Sequence, residues 1–225
     1  MADRMHLATQ LLFILLFGAL ALVAQNINFS QLVGSSNQYF TFFQFIGPLP
    51  ASFLGIIPGV ATILLAQLAN YALLGKAIDF VGAWRLLPML FAGYYFGRGN
   101  RIVRALVPLA CMVAFMAHPI GGQVWFYTLY WLIPPLALKF EHNLLARSLG
   151  ATFTAHAIGS TIWIWTVPMP AEAWLVLIPI VAYERGLFAL GIAVSHVVFN
   201  TLLAPFEAAL PARALRIERQ YVLLR

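Results

Sequence analysis

Four polar or aromatic side chains in one apolar segment are spaced so that they fall on one face of a helix. They are Thr152, His156, Ser160 and Trp163, at positions i, i+4, i+8 and i+11. A helix with 3.6 residues per turn brings such positions into one stripe. Hydroxyls, an imidazole and an indole together supply hydrogen-bond donors, an acceptor and a flat stacking surface. Small-molecule sites are built in this way, so the stripe predicts a substrate-binding site.

The sequence around the histidine of this stripe occurs twice. Residues 117–122 (AHPIGG) are followed 38 positions later by residues 155–160 (AHAIGS), and a tryptophan follows each copy, Trp125 or Trp163. A histidine at membrane depth is costly unless it has a partner or lines a cavity. The repeat therefore indicates a polar site to which His118 and Trp125 also contribute. The alternative is a pair of helix-packing motifs whose histidines bond to neighbouring backbone.

The last apolar segment carries further candidates. His196 and Asn200 are four residues apart and share a helix face, so we expect both to contact substrate. Glu184 and Arg185 are adjacent and point about 100° apart on a helix, so each needs its own partner. Either they cap a helix break or one of them binds a charged group of the substrate.

Aromatic side chains are concentrated around the two histidines. Stacking on such rings would set affinity, which predicts a substrate with a flat or conjugated ring. The residues concerned are Trp125, Tyr127, Tyr130, Trp131, Trp163 and Trp165.

The sequence predicts no metal, no cofactor and no catalytic residue. Zinc sites need three or four His, Cys or carboxylate ligands, whereas the histidines here lie in separate segments without a His-x-x-x-His pair. The single cysteine, Cys111, lies in an apolar run and is expected to be a small buried hydrophobe.

An intramembrane hydrolase is the enzyme alternative. The motif Ala155-His156-x-x-Gly159 and the pair Trp84-Arg85 faintly resemble motifs of rhomboid proteases. The Gly-x-Ser-Gly nucleophile motif of that family is absent. Without a positioned serine the histidine has nothing to activate.

Composition identifies a polytopic membrane protein. Hydrophobic residues make up 62% of the 225 residues and charged residues 9%, against about 25% charged in soluble domains. We expect one all-α membrane domain, a helical bundle with about six spans of ~20 residues in the plasma membrane.

The net charge of +6 comes from segment ends and indicates topology rather than nucleic-acid binding. No nucleotide-binding motif is present, so any ATP-driven activity would come from a partner chain.

The apolar segments predict where the helices lie. They are 7–24, 49–74, 80–97, 105–138, 148–167 and 174–206, followed by a basic cytoplasmic tail at 207–225. In one version 80–97 is re-entrant or interfacial and 105–138 forms two spans, at 105–118 and 122–138. In the other, 80–97 crosses the membrane and 105–138 is one long, broken helix. Both versions place both termini in the cytoplasm.

Residues 26–46 mix amides, hydroxyls and aromatic rings, which favours an interfacial segment. It is either a lid over an outward-facing pocket or an anchoring belt. Two small-x-x-x-small patterns, Gly55/Gly59 and Gly93/Gly97, predict close approach of helix backbones.

Several of these features resemble the S component, the substrate-binding membrane subunit, of energy-coupling factor transporters. The likeness is carried by Ile46-Gly47-Pro48 with Gly55 and Gly59, and by residues 85–88 (RLLP) with Gly93 and Gly97. The size, the expected number of about six spans and the polar-aromatic segment after the first helix add to it. The resemblance implies capture of a vitamin or similar small nutrient from outside. It also implies a transmembrane coupling subunit and cytoplasmic ATPases as partners, with membrane lipid around the bundle. An assembly subunit of a larger membrane complex is the remaining alternative.

Overall fold

The computed structural model describes residues 2–31, 39–75, 77, 79–211 and 214–223. This part of the chain is helical apart from one short antiparallel hairpin of β1 (Asn28–Gln31) and β2 (Tyr39–Thr41). The helices are α1 (Ala2–Gln25), α2 (Phe43–Ile46), α3 (Leu49–Leu54), α4 (Ile56–Leu73), α5 (Phe80–Trp84), α6 (Leu87–Phe96), α7 (Arg101–Met116), α8 (Pro119–Gln123), α9 (Ile133–Ala137), α10 (Leu144–Thr166) and α11 (Ala171–Leu203). Short 3-10 segments lie at Trp125–Leu132, Leu138–Phe140, Ala204–Ala209 and Arg219–Tyr221.

Three helical stretches of the described chain are long and apolar enough to cross a membrane. They are His6–Gln25, Ile56–Leu73 and Ala171–Ala208. This agrees with the predicted all-α fold and with a membrane location. The number of six crossings stays a prediction.

Glycine and proline divide the helices that the hydropathy pattern predicted as continuous. Gly55 adopts a φ of 92°, which side chains other than hydrogen disfavour, and it separates α3 from α4 within the predicted span 49–74. In 80–97, α5 ends near Arg85 and a new helix begins just before Pro88. Pro119 begins α8, because proline favours the first turn of a helix, and the chain reverses there within 105–138.

The segments run back and forth between two ends of the bundle. We call the end holding β1 and β2 the hairpin end, and the end where residues 214–223 pack the tail end. Phe13 and Phe17 of α1 lie in one buried cluster with Leu215, whereas Gln25 donates to the Ala66 carbonyl near the hairpin end (3.2 Å). The first helix therefore starts at the same end at which the C-terminal segment packs.

The two small-x-x-x-small patterns meet at one point of the core. A Cβ added to Gly59 or to Gly97 would overlap the backbone of Ala51, and one on Gly93 would overlap Ile63. The predicted close approach of backbones is confirmed, and α3 packs between α4 and α6. This packing brings α6 against α10, the helix that carries the predicted stripe.

Candidate functional site

A cavity of about 290 Å³ lies towards the hairpin end, between α6, α10 and the first half of α11. Aromatic and aliphatic side chains form most of its wall, with a few polar groups among them, as is typical of small-molecule sites. Its lining comprises Tyr39, Phe40, Gln44, Gln67, Arg85, Pro88, Met89, Tyr127, Ala155, His156, Gly159, Ser160, Ile162, Trp163, Trp174, Leu177, Val181, Glu184 and Arg185.

His156 is the centre of a buried hydrogen-bond network in this wall. The Trp131 indole N–H donates to His156 Nδ1 at 3.0 Å. Tyr127 Oη lies 2.9 Å from His156 Nε2 and 3.4 Å from Ser160 Oγ. An indole only donates, so Nδ1 is an acceptor and the ring proton sits on Nε2, directed at the tyrosine. The tyrosine hydroxyl is then available to donate to Ser160.

Both ring nitrogens of His156 are therefore engaged by other side chains. A general base for a serine nucleophile needs a free nitrogen within hydrogen-bond reach of that serine. Ser160 instead contacts the network through Tyr127. The arrangement fixes the orientation of these polar groups at the cavity wall.

The aromatic part of the wall is contributed by separate elements. Trp163 on α10 donates its indole N–H to Met169 Sδ at 3.0 Å, which fixes the ring. Trp174, near the start of α11, is 1% exposed and packs edge-on to Tyr127 at 5.2 Å between ring centres. The cavity thus offers indole surface on two sides.

The hairpin that follows α1 borders the cavity. Tyr39 and Phe40 of β2 line it, and the Phe40 ring lies 5.2 Å from that of Phe188 on α11. In β1, the Ser30 hydroxyl donates to Glu184 Oε1 at 3.4 Å. Of residues 39–46, Tyr39, Phe40 and Gln44 line the cavity, and the choice between a lid and an anchoring belt stays a prediction. Residues 32–38 of the predicted segment 26–46 lie outside the described residues.

Glu184 and Arg185 both line the cavity, although they are adjacent on α11. Arg185 Nη2 lies 3.5 Å from Glu184 Oε2. The Arg185 guanidinium also lies over the rings of Phe40 and Phe188, at 4.8 and 4.6 Å from the ring centres. The sequence left two alternatives for this pair, capping a helix break or binding a charged group of the substrate. Because α11 is continuous here, there is no break to cap, and both side chains line the cavity.

Three of the four stripe residues, His156, Ser160 and Trp163, line the cavity as their spacing predicts. Thr152 lies one turn before His156 in α10, closer to the tail end. It is buried and is not part of the lining. Their contact with a substrate stays a prediction.

The first copy of the repeat is placed elsewhere. His118 caps α8, accepting from the Ile120 backbone N–H at 3.2 Å, and its ring packs on Trp165 beside a separate surface depression. Trp125 is 52% exposed and outside the cavity. The two copies differ because Pro119 starts a new helix, whereas Ala157 at the matching position continues α10. His118 is thus bonded to neighbouring backbone, as the packing alternative expects, whereas His156 lines the cavity.

His196 and Asn200 also lie away from the cavity, in what we call the tail cluster: Arg98, Arg147, His196, Asn200 and Glu218. The Glu218 carboxylate accepts from Arg147 at 2.8 Å and from Arg98 at 3.1 Å. His196 Nε2 lies 3.3 Å from Glu218, whose backbone N–H donates to Asn200 Oδ1 at 2.6 Å. The cluster ties the C-terminal segment to the helix ends.

The electrostatics of the tail cluster favour an ionised Glu218. Burial alone would raise the pKa of this carboxyl. The hydrogen bond with His196 and the charge and hydrogen bond of Arg147 outweigh burial and lower the pKa of Glu218 from 4.5 to about 2. Similarly, the hydrogen bond from Arg104 lowers the pKa of Glu141 at the same end of the bundle.

Several lining residues were not predicted as substrate-binding residues, chiefly Arg85 and Trp174, and Tyr127 was predicted only as one of the stacking rings. Tyr127 and Trp131 are separated from His156 by a chain reversal, so helical spacing cannot relate them. Arg85 does carry a signal, since it is an arginine inside an otherwise apolar segment, where charge is costly. Glu218 is an acid among arginines of the predicted basic tail.

Within the described ranges no group of three or more His, Cys, Asp or Glu side chains could hold a metal ion. No family model, curated protein or solved structure matches this chain.

Proposed function

We propose that this protein is a membrane-embedded substrate-capture subunit for uptake of a small, vitamin-like or aromatic nutrient. It acts in the manner of the S component of an energy-coupling factor transporter. A transmembrane coupling subunit and cytoplasmic ATPases supply the energy. The observation that carries this proposal is the cavity of about 290 Å³, which combines an oriented polar network with aromatic walls.

The placement of the cavity supports capture rather than catalysis. It lies near one end of the bundle, where the β1–β2 hairpin borders it. Its histidine is held by Tyr127 and Trp131 instead of facing a nucleophile. A cavity bordered by a hairpin at one end of the bundle fits a protein that takes up a substrate from one side.

The charge distribution supports an orientation with the cavity facing outwards. Positively charged side chains tend to stay on the cytoplasmic side of a membrane. The basic residues of the tail end include Arg98, Arg101, Arg104, Lys139, Arg147, Arg216 and Arg219. We therefore assign the tail end and both termini to the cytoplasm, in a bundle of about six crossings in the plasma membrane.

Replacing one cavity tryptophan tests the proposal. Trp163→Ala should weaken binding of the molecule that co-purifies with the wild type by roughly tenfold or more, since aromatic stacking contributes about 0.5–1.5 kcal/mol beyond buried area. Isothermal titration after removal of that molecule measures the change. Trp125→Ala is the matched control, because Trp125 is outside the cavity, and its affinity should equal that of the wild type.

A second measurement separates binding from packing. If Trp163→Ala lowers the melting temperature but leaves affinity unchanged, the tryptophan belongs only to the core. That result would contradict the proposed role of the cavity.

A further inference from the structure

The cavity has more cationic hydrogen-bond donors than the protein itself pairs. Arg85 and Arg185 line it, and Glu184 is the one carboxylate among the lining residues that the structure describes. The contact between Arg185 and Glu184 is long, at 3.5 Å, and the same carboxylate also accepts from the Ser30 hydroxyl. Among the described lining residues there is thus one carboxylate for two arginines, and it contacts Arg185 but not Arg85.

Arg185 is the more deeply placed of the two. Its exposed fraction is 3%, and its Nε has no hydrogen-bond partner among the described residues. Its guanidinium lies over the faces of Phe40 and Phe188, and its acidic contact in the described structure is the long one to Glu184. A buried guanidinium is stabilised much better when its donors are hydrogen-bonded to an anion.

Arg85 lies between α5 and α6, and its side chain lines the cavity that α11 also borders. Its guanidinium is 5.3 Å from the centre of the Trp163 ring, and no carboxylate of the described chain lies within ion-pair distance of it. Its buried Nε is likewise unpaired in the described structure. Trp174 adds a neutral donor that is also unpaired, since its indole N–H has no hydrogen-bond partner among the described residues.

We infer that the molecule bound in this cavity carries a carboxylate or phosphate group, which Arg185 and Arg85 hold while its ring lies against Trp163. The inference rests on the proposed function and names the class of its substrate. Arginine suits this task because its planar fork matches the oxygens of both anions. A cationic molecule is disfavoured, because Glu184 already has two partners.

Two matched probes test the charge requirement. 2-Naphthoate and 2-naphthamide share one bicyclic ring and differ in charge, and titration with tryptophan fluorescence reports their binding to purified protein. Wild type should bind the acid at least about tenfold more tightly than the amide, the effect expected of a charged hydrogen bond.

Variants of Arg85, the more exposed of the two arginines, show whether it contributes to the preference for the acid. Arg85→Gln should clearly reduce the preference for the acid, because Arg185 alone then holds the anion, and Arg85→Lys should keep most of it by retaining the charge. Arg101→Gln is the control, because Arg101 donates to the Leu138 carbonyl at the tail end, and it should behave as wild type. Arg85 carries the test because Arg185 is buried and its replacement could impair folding.

Equal affinity for the two probes in wild type, or an acid preference that is undiminished in Arg85→Gln, would overturn the inference while leaving substrate capture intact. Failure of the proposed function has a different signature. The gently purified wild type would then carry no small molecule in its native mass spectrum.

Discussion

At the scale of single residues, the protein contains two separate polar centres, built around His156 and Glu218. The first orients side chains at the cavity, and the second fixes the C-terminal segment at the opposite end. Helical spacing predicted that His156, Ser160 and Trp163 share a cavity, because that relation lies within one helix. It could not predict that His196 and Asn200 belong to the second centre. Their partner Glu218 reaches them only through the fold of the tail.

Glu218 gives the tail cluster a defined pH dependence. Its pKa is lower in the folded protein, so its ionisation stabilises the fold fully above about pH 4.5, and this contribution is lost as the pH falls towards 2. Glu218→Gln should be less stable than wild type at pH 7 by about 3 kcal/mol, since Arg147 then lacks its counter-charge.

Thermal unfolding in detergent at a series of pH values measures this contribution. The difference in melting temperature between wild type and Glu218→Gln should be constant from pH 7 to 5 and shrink below pH 4.5. Glu172→Gln, at an exposed position in the first turn of α11, is the control and should show little difference. A difference that persists unchanged at pH 3 would contradict the assigned role.

At the scale of elements, glycine contacts hold α3, α4 and α6 together. The pattern Gly55/Gly59 was recognisable in the sequence as a close-packing motif. The turn at Gly55 was not, because hydropathy is continuous across it and only the φ of 92° reveals the break. The repeat misled for a related reason. Similar residues form a helix cap at His118 and a continuous helix at His156, since a single proline decides between them.

Gly59→Ala should destabilise the bundle by about 1–3 kcal/mol, because the added Cβ overlaps the Ala51 backbone and backbone cannot yield as a side chain can. The thermal melting curve of the purified protein reports this loss. Gly186→Ala, in α11, is the matched control. A Cβ there meets no atom within 4 Å, and alanine favours helix by about 1 kcal/mol, so stability should stay equal or rise. Equal melting temperatures for Gly59→Ala and wild type would contradict the packing described.

At the scale of the whole molecule, composition predicted the all-α membrane class, because a charged fraction of 9% is unsuited to a soluble surface. Composition could not predict how broken segments pair. The cavity combines residues from the hairpin, from α6 and from α11, and Arg85 and Arg185 are separated by 100 positions in the chain. Their shared cavity is a property of the tertiary fold.

The central claim is that this cavity holds a small molecule, and a native mass spectrum of the gently purified protein tests it most directly. Wild type should carry one small molecule per chain. Gly159→Phe should lose it, because Gly159 lines the cavity and the phenyl ring would fill it. Gly186→Leu, outside the lining, should retain it. A wild-type spectrum without any bound molecule, or a Gly159→Phe protein that still carries it, would contradict the account.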